Sequence, residues 1–430
     1  MTGYKTSFHV PYRQPAKRNF ATFAVMQKTA RTLPVTQVLL CGGIIVTLSL
    51  GIRHGFGLWM LPITQQMGWT RETFALAIAI QNLSWGVLGI FGGMLADRYG
   101  AFRVLLGGTV LYAVGLLGMA LSPTPFLFAL TAGVLIGAAQ AGTTYSIIYG
   151  VIGRQIAPER RSWAMGVAAA AGSLGQFLLL PIEGQMILHL GWQTALLTIV
   201  VLALMMAPLA FGLREPGFHA HHAAQRTQTV RHAMAEALRH PPYLLLTMGY
   251  FVCGFQVTFI AVHLPGYLSD KGLSPQVSAF ALAIVGLLNI VGSYGAGVLG
   301  QRFQKRWILA FIYATRAVVI ALFLLAPISP LSVYLFASVM GLLWLSTVPP
   351  TNAVVAQMFG VQHFSMLSGF SFFSHQLGSF MGVWLGGYLY DRTGSYNVVW
   401  LIAIALSMAA TLLNLPVKET PVIRAAAHAA

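Results

Sequence analysis

The sequence predicts an all-α membrane protein of twelve transmembrane helices, arranged as two six-helix, pseudo-symmetric halves. Three observations predict it. The chain has 430 residues, of which 57% are hydrophobic and 8% charged, against about 25% charged in an ordinary soluble domain. Glycine, proline and charge clusters divide the apolar sequence into twelve runs. Each run is close to the roughly 20 residues that cross a bilayer as a helix. Short matches then recur between the two halves at one constant offset. A soluble enzyme is excluded by the composition alone.

The elements follow in order. Residues 1–36 form a basic arm with Lys5, Arg13, Lys17, Arg18, Lys28 and Arg31 and no acidic residue. The arm lacks the apolar core and small-residue cleavage site of a signal peptide, so a solvated cytoplasmic segment is expected. The runs are 37–61, 74–95, 102–122, 125–150, 163–187 and 192–213 in the first half. In the second half they are 243–268, 277–299, 306–327, 331–357, 364–389 and 397–416. These are spans 1 to 12. They are too long and too uniformly apolar for barrel strands, which alternate over about 10 residues. The halves are expected at 37–213 and 243–418, with a cytoplasmic linker at 214–242 and a cytoplasmic tail at 419–430.

The formal charge of +16 comes from 25 Lys+Arg against 9 Asp+Glu. In a soluble protein that excess would suggest nucleic acid. Here its location decides the meaning. If the amino terminus is cytoplasmic, twenty basic residues fall on that side. Only Arg71, Lys271 and Arg392 fall on the other, and Arg53 and Arg316 lie inside spans. That bias is the positive-inside pattern. It predicts an even number of spans with both termini inside, in a cytoplasmic (inner) membrane, and no nucleic-acid partner.

The repeat supports the division. Leu61-Pro62 recurs as Leu264-Pro265, and Gly93-Met94-Leu95-Ala96-Asp97-Arg98 recurs, weakened, as Gly297-Val298-Leu299-Gly300-Gln301-Arg302. Gly166 matches Gly369 and Gly184 matches Gly387. Four ordered matches at an offset of 203 or 204 residues read as two six-helix units, a known transporter plan with its site at the repeat interface. Cys41 and Cys253 both lie in apolar runs, so neither a disulfide framework nor a cysteine metal site is expected. In the linker, His219, His221 and His222 lack an acidic or thiolate companion, so a solvated loop is expected over a metal site. Residues 225–239 fit an amphipathic surface helix.

At Gly93-Met94-Leu95-Ala96-Asp97-Arg98-Tyr99-Gly100-Ala101-Phe102-Arg103 the chain resembles the major facilitator superfamily, whose G-x-L-A-D-R-x-G-x-[RK]-[RK] signature lies between spans 2 and 3. Phe102 is a departure from the basic pair. Met67-Gly68-Trp69-Thr70-Arg71 and Pro158-Glu159-Arg160-Arg161 are similar to the monocarboxylate and oxalate–formate antiporter branch. The resemblance covers about residues 36–418. It implies that spans 1, 4, 7 and 10 line a central cavity, flanked by 2, 5, 8 and 11 and supported by 3, 6, 9 and 12. It also implies a cytoplasmic gate of Asp97, Arg98, Arg103 and Glu159. A carboxylate at Asp97 suits a helix amino terminus, and Arg98 is expected to pair across the face with Glu159.

A charge inside a span is costly and is read as functional. The ionisable set is Arg53, His54, Glu183, His263, Arg316 and His375. An arginine fork matches a carboxylate, so Arg53 is the expected anion contact, with Gln256 opposite it at the repeat offset. Asn289, His375, His54, Tyr145 and Trp344 complete the expected substrate site, within polar clusters at Gln81, Asn82, Gln140, Thr143, Thr144, Ser346, Thr347 and Asn352; Trp59 offers a second aromatic wall. Histidine titrates near neutrality, making His375 and His54 proton-coupling candidates. Glu183 and His263, at similar depth near the outer ends of spans 5 and 7, are a candidate pair for an outer gate or proton site, with interfacial solvation the alternative. Arg316 is expected to snorkel or to bind Tyr294 or a backbone carbonyl. The branch resemblance implies a basic residue in span 8, where this chain has Ser293. The carboxylate expectation therefore rests on Arg53 replacing that charge.

The functional expectation is a secondary active transporter of a small organic anion, a monocarboxylate above all, working by alternating access as a proton symporter or anion exchanger. The competing readings are a proton-coupled drug efflux pump, which needs a cavity acid that spans 1, 4, 7 and 10 lack, and a non-transporting nutrient sensor. No G-x-x-x-x-G-K-[ST], His-Glu-x-x-His or Gly-x-Ser-x-Gly site is present, so neither ATP use nor an enzyme is expected. No metal or cofactor is expected. The expected partners are the organic anion, the lipid bilayer and protons, and the expected state is a monomer.

Overall fold

A computed structural model describes residues 33–215, 230–360 and 364–422. Every regular element among the described residues is a helix. Eleven of the twelve expected spans coincide with helical stretches long and apolar enough to cross a membrane. Span 11 lies within the 30-residue helix Phe364–Thr393.

Local chemistry sets the ends. Proline opens helices at Pro125, Pro158, Pro241, Pro275 and Pro330, positions where a missing N–H has no helical partner to lose. Thr70 caps span 2 by accepting the Thr73 N–H at 3.2 Å. Ser329 and Ser332 form a reciprocal capping box at the start of span 10. Gly68 ends span 1 at φ +66°, a left-handed turn that glycine adopts without a Cβ clash. Span 1 continues past its apolar run to Met67, because helical bonding satisfies the backbone where the side chains turn polar. Gln66 there accepts the Trp192 indole N–H at 2.5 Å. Among the described residues the linker helix is Val230–Leu238, and Ala233 and Ala237 are buried; positions 225–229 of the expected helix lie outside the described residues. His219, His221 and His222 lie outside the described residues.

Spans 1, 4, 6 and 10 are interrupted, span 6 at Met205 between Trp192–Leu204 and Met206–Phe211. Span 1 is Val35–His54 followed by Phe56–Met67, meeting at Gly55. Span 4 runs through Pro125–Phe128, a π-helical stretch Ala129–Leu135, Ile136–Thr143 and then Tyr145–Gln155. Span 10 is Pro330–Leu343 and Val348–Phe359. The break at Thr144 and the Thr347 end of the second break are separated by the repeat offset. Such breaks free carbonyls at membrane depth, and these need partners.

Buried apolar side chains form two large clusters and a small one of Ile308, Ile312 and Leu343. One large cluster is drawn almost wholly from residues 33–213 and the other from 237–417. The two bundles meet mainly where span 2 packs on span 11 and span 5 on span 8. Small residues allow these approaches. A Cβ on Gly86 would collide with Gln376, and one on Gly286 with Gln176. Within the halves, Gly175 abuts the Thr47 backbone of span 1, and Gly378 abuts the Phe251 backbone of span 7. That is one contact repeated at nearly the repeat offset. Gly166 and Gly369 have open space instead.

Candidate functional site

The break at Gly55 organises the first half. Arg53 sits in the last turn before it, partly exposed. One guanidinium nitrogen donates to Asn82 Oδ1 at 2.5 Å, and the guanidinium carbon stands 4.8 Å from the Trp85 ring centroid. Arg53 Nε is buried without a partner. Among the described residues no carboxylate forms an ion pair with it. Trp85 in turn meets Phe372 of span 11, edge to face at 5.4 Å. Arg53 therefore faces the junction of the two bundles, bound to a neutral amide and an aromatic face. His54 is tied to the Leu50 carbonyl through Nδ1 at 2.6 Å.

Glu183 of span 5 is fully buried against the same break. Its carboxyl occupies the space that a Cβ on Gly55 would need. Trp59 Nε1 donates to Oε2 at 2.9 Å, and Oε1 has no partner. The expected pairing with His263 does not form. Both His263 nitrogens are engaged within the second half, Nε2 with the Val383 carbonyl at 2.8 Å and Nδ1 with the Tyr396 hydroxyl at 3.2 Å.

In the second half, Gln256 does not stand opposite Arg53. It is buried, donates to Ala403 O at 2.8 Å and Ser407 Oγ at 2.6 Å, and accepts from Arg316 at 3.3 Å. The repeat fixes the backbone position, while the local partners on spans 9 and 12 fix the side-chain direction. Trp344 is likewise buried in the second core rather than forming an aromatic wall. Trp59 is buried too, its indole held by Glu183. His375 is buried between the Tyr250 and Phe372 rings, with Nδ1 near Gln376 Oε1 at 3.2 Å and Nε2 unpartnered. Tyr145 is half-buried, gives its hydroxyl to Ala169 O at 3.1 Å, and stacks on Tyr149. Asn289 bridges the bundles: it donates to Ser173 of span 5 at 3.0 Å and accepts the Leu345 N–H, inside the span 10 break, at 2.9 Å.

Arg316 resolves as the clamp of that break. It is wholly buried, and its Nη2 donates to the Leu343 and Trp344 carbonyls, each at 2.6 Å. Tyr294, the expected side-chain partner, is exposed and plays no part. Cys253 accepts from Thr347 at 3.1 Å and lies 3.6 Å from the same guanidinium nitrogen.

Of the expected gate, the Asp97 and Glu159 side chains lie outside the described residues. Arg98 and Arg103 are exposed, with Arg98 5.3 Å from the Tyr99 ring centroid. A second polar cluster, which sequence reasoning missed, joins the bundles at the opposite ends of the spans. Arg71 makes a bidentate pair with Asp270 at 2.6 and 2.7 Å, lies 3.8 Å from the Tyr390 ring centroid, and donates to the Tyr396 hydroxyl at 3.1 Å. Asp391 accepts the N–H groups of Arg71 and Glu72 at 3.2 and 2.6 Å, at the positive end of span 2. Arg392 reaches Glu72 at 3.4 Å. A signal was present. Gly386-Gly387-Tyr388-Leu389-Tyr390-Asp391-Arg392-Thr393-Gly394 repeats Gly92-Gly93-Met94-Leu95-Ala96-Asp97-Arg98-Tyr99-Gly100 at six of nine positions. It does so at the opposite ends of the spans, off the register of the half-to-half repeat.

Two bundles of membrane-length helices, meeting along spans 2, 5, 8 and 11 and holding ionisable groups between them, define a multi-pass membrane transporter. The Major Facilitator Superfamily profile matches residues 39–382 and 246–429, and this chain belongs to that superfamily. The chain is 25% identical over 374 residues to the uncharacterized transporter YcxA of Bacillus subtilis, covering 84% of this chain and 90% of that protein. It is 26% identical over 389 residues to monocarboxylate transporter 13 of Bos taurus, with 86% of each covered. A hexuronate transporter of Bacillus subtilis is 24% identical, with 81% of this chain and 84% of that protein covered. Among solved structures, a nucleoside transporter superposes with a TM-score of 0.73 at 13% identity, covering 88% and 99% of the two chains.

Proposed function

We propose that this protein is a secondary active transporter that moves a small organic anion of the monocarboxylate class across the cytoplasmic membrane by alternating access, as a proton symporter or an anion exchanger. The observation that carries the reading is Arg53. A guanidinium at mid-span with no carboxylate partner, a neutral hydrogen-bond acceptor and an aromatic face lacks only an anion. Tyr145, Asn289 and His375 stand as its candidate neighbours from spans 4, 8 and 11. Two relatives are named for carboxylate-bearing cargo, a monocarboxylate and a hexuronate. The positive-inside bias supports placing both termini in the cytoplasm. On that placement the Arg71 cluster closes the outer face. The loop of Asp97, Arg98, Arg103 and Glu159 is then the gate that closes in the opposite orientation.

The test is uptake of labelled lactate and acetate into proteoliposomes. Saturable, counterflow-competent flux of either anion supports the reading. Flux of lipophilic cations with none of these anions would replace it with a drug exporter, and binding without counterflow would replace it with a sensor.

A further inference from the structure

We propose that Glu183 is the proton-carrying carboxyl of this carrier. The inference rests on the organic-anion reading above and names the group that would couple it to a proton gradient. Of the chain's nine acidic residues, Glu183 alone falls within one of the twelve apolar runs, toward the outer end of span 5. It is fully buried. A carboxylate removed from water requires a cation or several donors to hold its charge. Here it has one, the Trp59 indole N–H, and among the described residues no cation pairs with it. With Oε1 unpartnered, neither form is completed by its surroundings. The ionised group lacks a counter-charge, and the protonated group lacks an acceptor for its O–H. A side chain left unfinished in both forms is poised to change its protonation with its surroundings.

Its surroundings are where the chain bends. Glu183 lies on Gly55, the joint between the two segments of span 1, two residues after Arg53. Rocking of the bundles that moves this joint therefore acts on the anion contact and on the carboxyl together. The groups facing it from neighbouring elements are few. Span 1 presents Trp59 and the Gly55 backbone, and span 8 presents Ala279 beside Gly184. Tyr112 of span 3 gives its hydroxyl to Ser49 O at 2.9 Å, and His54 is tied to the Leu50 carbonyl. His263 is held by span 11 and Tyr396. Proton balance is simple. One proton binds the carboxylate on the side from which the anion enters, travels with it, and is released to water on the other side. Each turnover then moves no net charge for a monovalent anion.

The experiment uses the full-length protein in proteoliposomes with lactate as the probe. In Glu183→Gln the amide keeps an oxygen for Trp59 but cannot exchange a proton. The expected result is loss of accumulation driven by an imposed pH gradient, while lactate counterflow at equal pH persists. Accumulation that still follows the pH gradient would overturn the proposal. Trp59→Phe removes the one donor and should move the pH profile of uptake toward alkaline values; an unmoved profile would also overturn it. Infrared spectra of the purified protein separate this proposal from the anion reading. A carboxyl C=O band that titrates and vanishes in Glu183→Gln is expected whether or not lactate is the cargo, and its presence unchanged in the variant would remove Glu183 from the role.

Discussion

The two intramembrane arginines illustrate opposite uses of one side chain. Arg316 is wholly buried, and its terminal nitrogens are held by two backbone carbonyls at 2.6 Å, an amide oxygen at 3.3 Å and a thiol sulfur at 3.6 Å, while its Nε has no partner. Arg53 also leaves Nε unpartnered, but it is partly exposed and holds only one side-chain oxygen and an indole face. Position in a span does not separate them. Partner count does. A guanidinium whose terminal nitrogen is taken by freed carbonyls is a structural clamp for a broken helix. One left unsaturated at the junction of the bundles is available to a ligand.

The comparison is broken most directly at Arg53. Arg53→Gln should abolish lactate uptake while expression, insertion and thermal stability stay near those of the parent. Uptake close to normal would remove Arg53 from the site. The complementary experiment is Arg316→Met, which should lower stability rather than merely slow transport. Each carbonyl left unpaired costs about 1–3 kcal/mol, read as a fall in Tm of the detergent-solubilised protein. A stable, transport-null Arg316→Met would instead put Arg316 in the substrate path. Next is the Arg71 cluster. Partly exposed ion pairs contribute about 0–1 kcal/mol each, so Asp270→Asn should leave folding intact and shift the resting balance of the two orientations. Cysteine labelling from the Arg71 face should rise, and exchanging Arg71 and Asp270 with each other should restore part of the closure. The smallest effect is expected at His375. With Glu183 carrying the proton, His375→Asn should change the rate of uptake but keep its pH dependence. A flattened profile would transfer the coupling role to His375.

The difference between the arginines also shows what kind of information each level held. That Arg53 lies in span 1 and Arg316 in span 9 follows from counting apolar runs. Which one acts as a clamp does not, because the partners of Arg316 are carbonyls exposed by a break in span 10. The same limit applies to Gln256. The repeat offset places its backbone at the counterpart of Arg53, yet adjacent side chains on a helix diverge by about 100°, and bonds to Ala403 and Ser407 settle its direction. His263 has the depth expected for pairing with Glu183, but both its nitrogens are spent elsewhere. The Arg71 cluster joins residues about 200 and 320 positions apart, although its repeated Asp-Arg motif was visible in the chain.

The sequence by itself determined the membrane class, the run boundaries to within a few residues, the repeat and the charge bias. Each of these follows from composition within a window or from a fixed offset, since burying an apolar run in lipid is a local transaction between that run and its solvent. Only the tertiary structure decided where spans 1, 4, 6 and 10 break, which cation is held by freed carbonyls, and which acids join the bundles at one face. Those outcomes depend on donors and acceptors brought together from different helices, whose directions are set by packing.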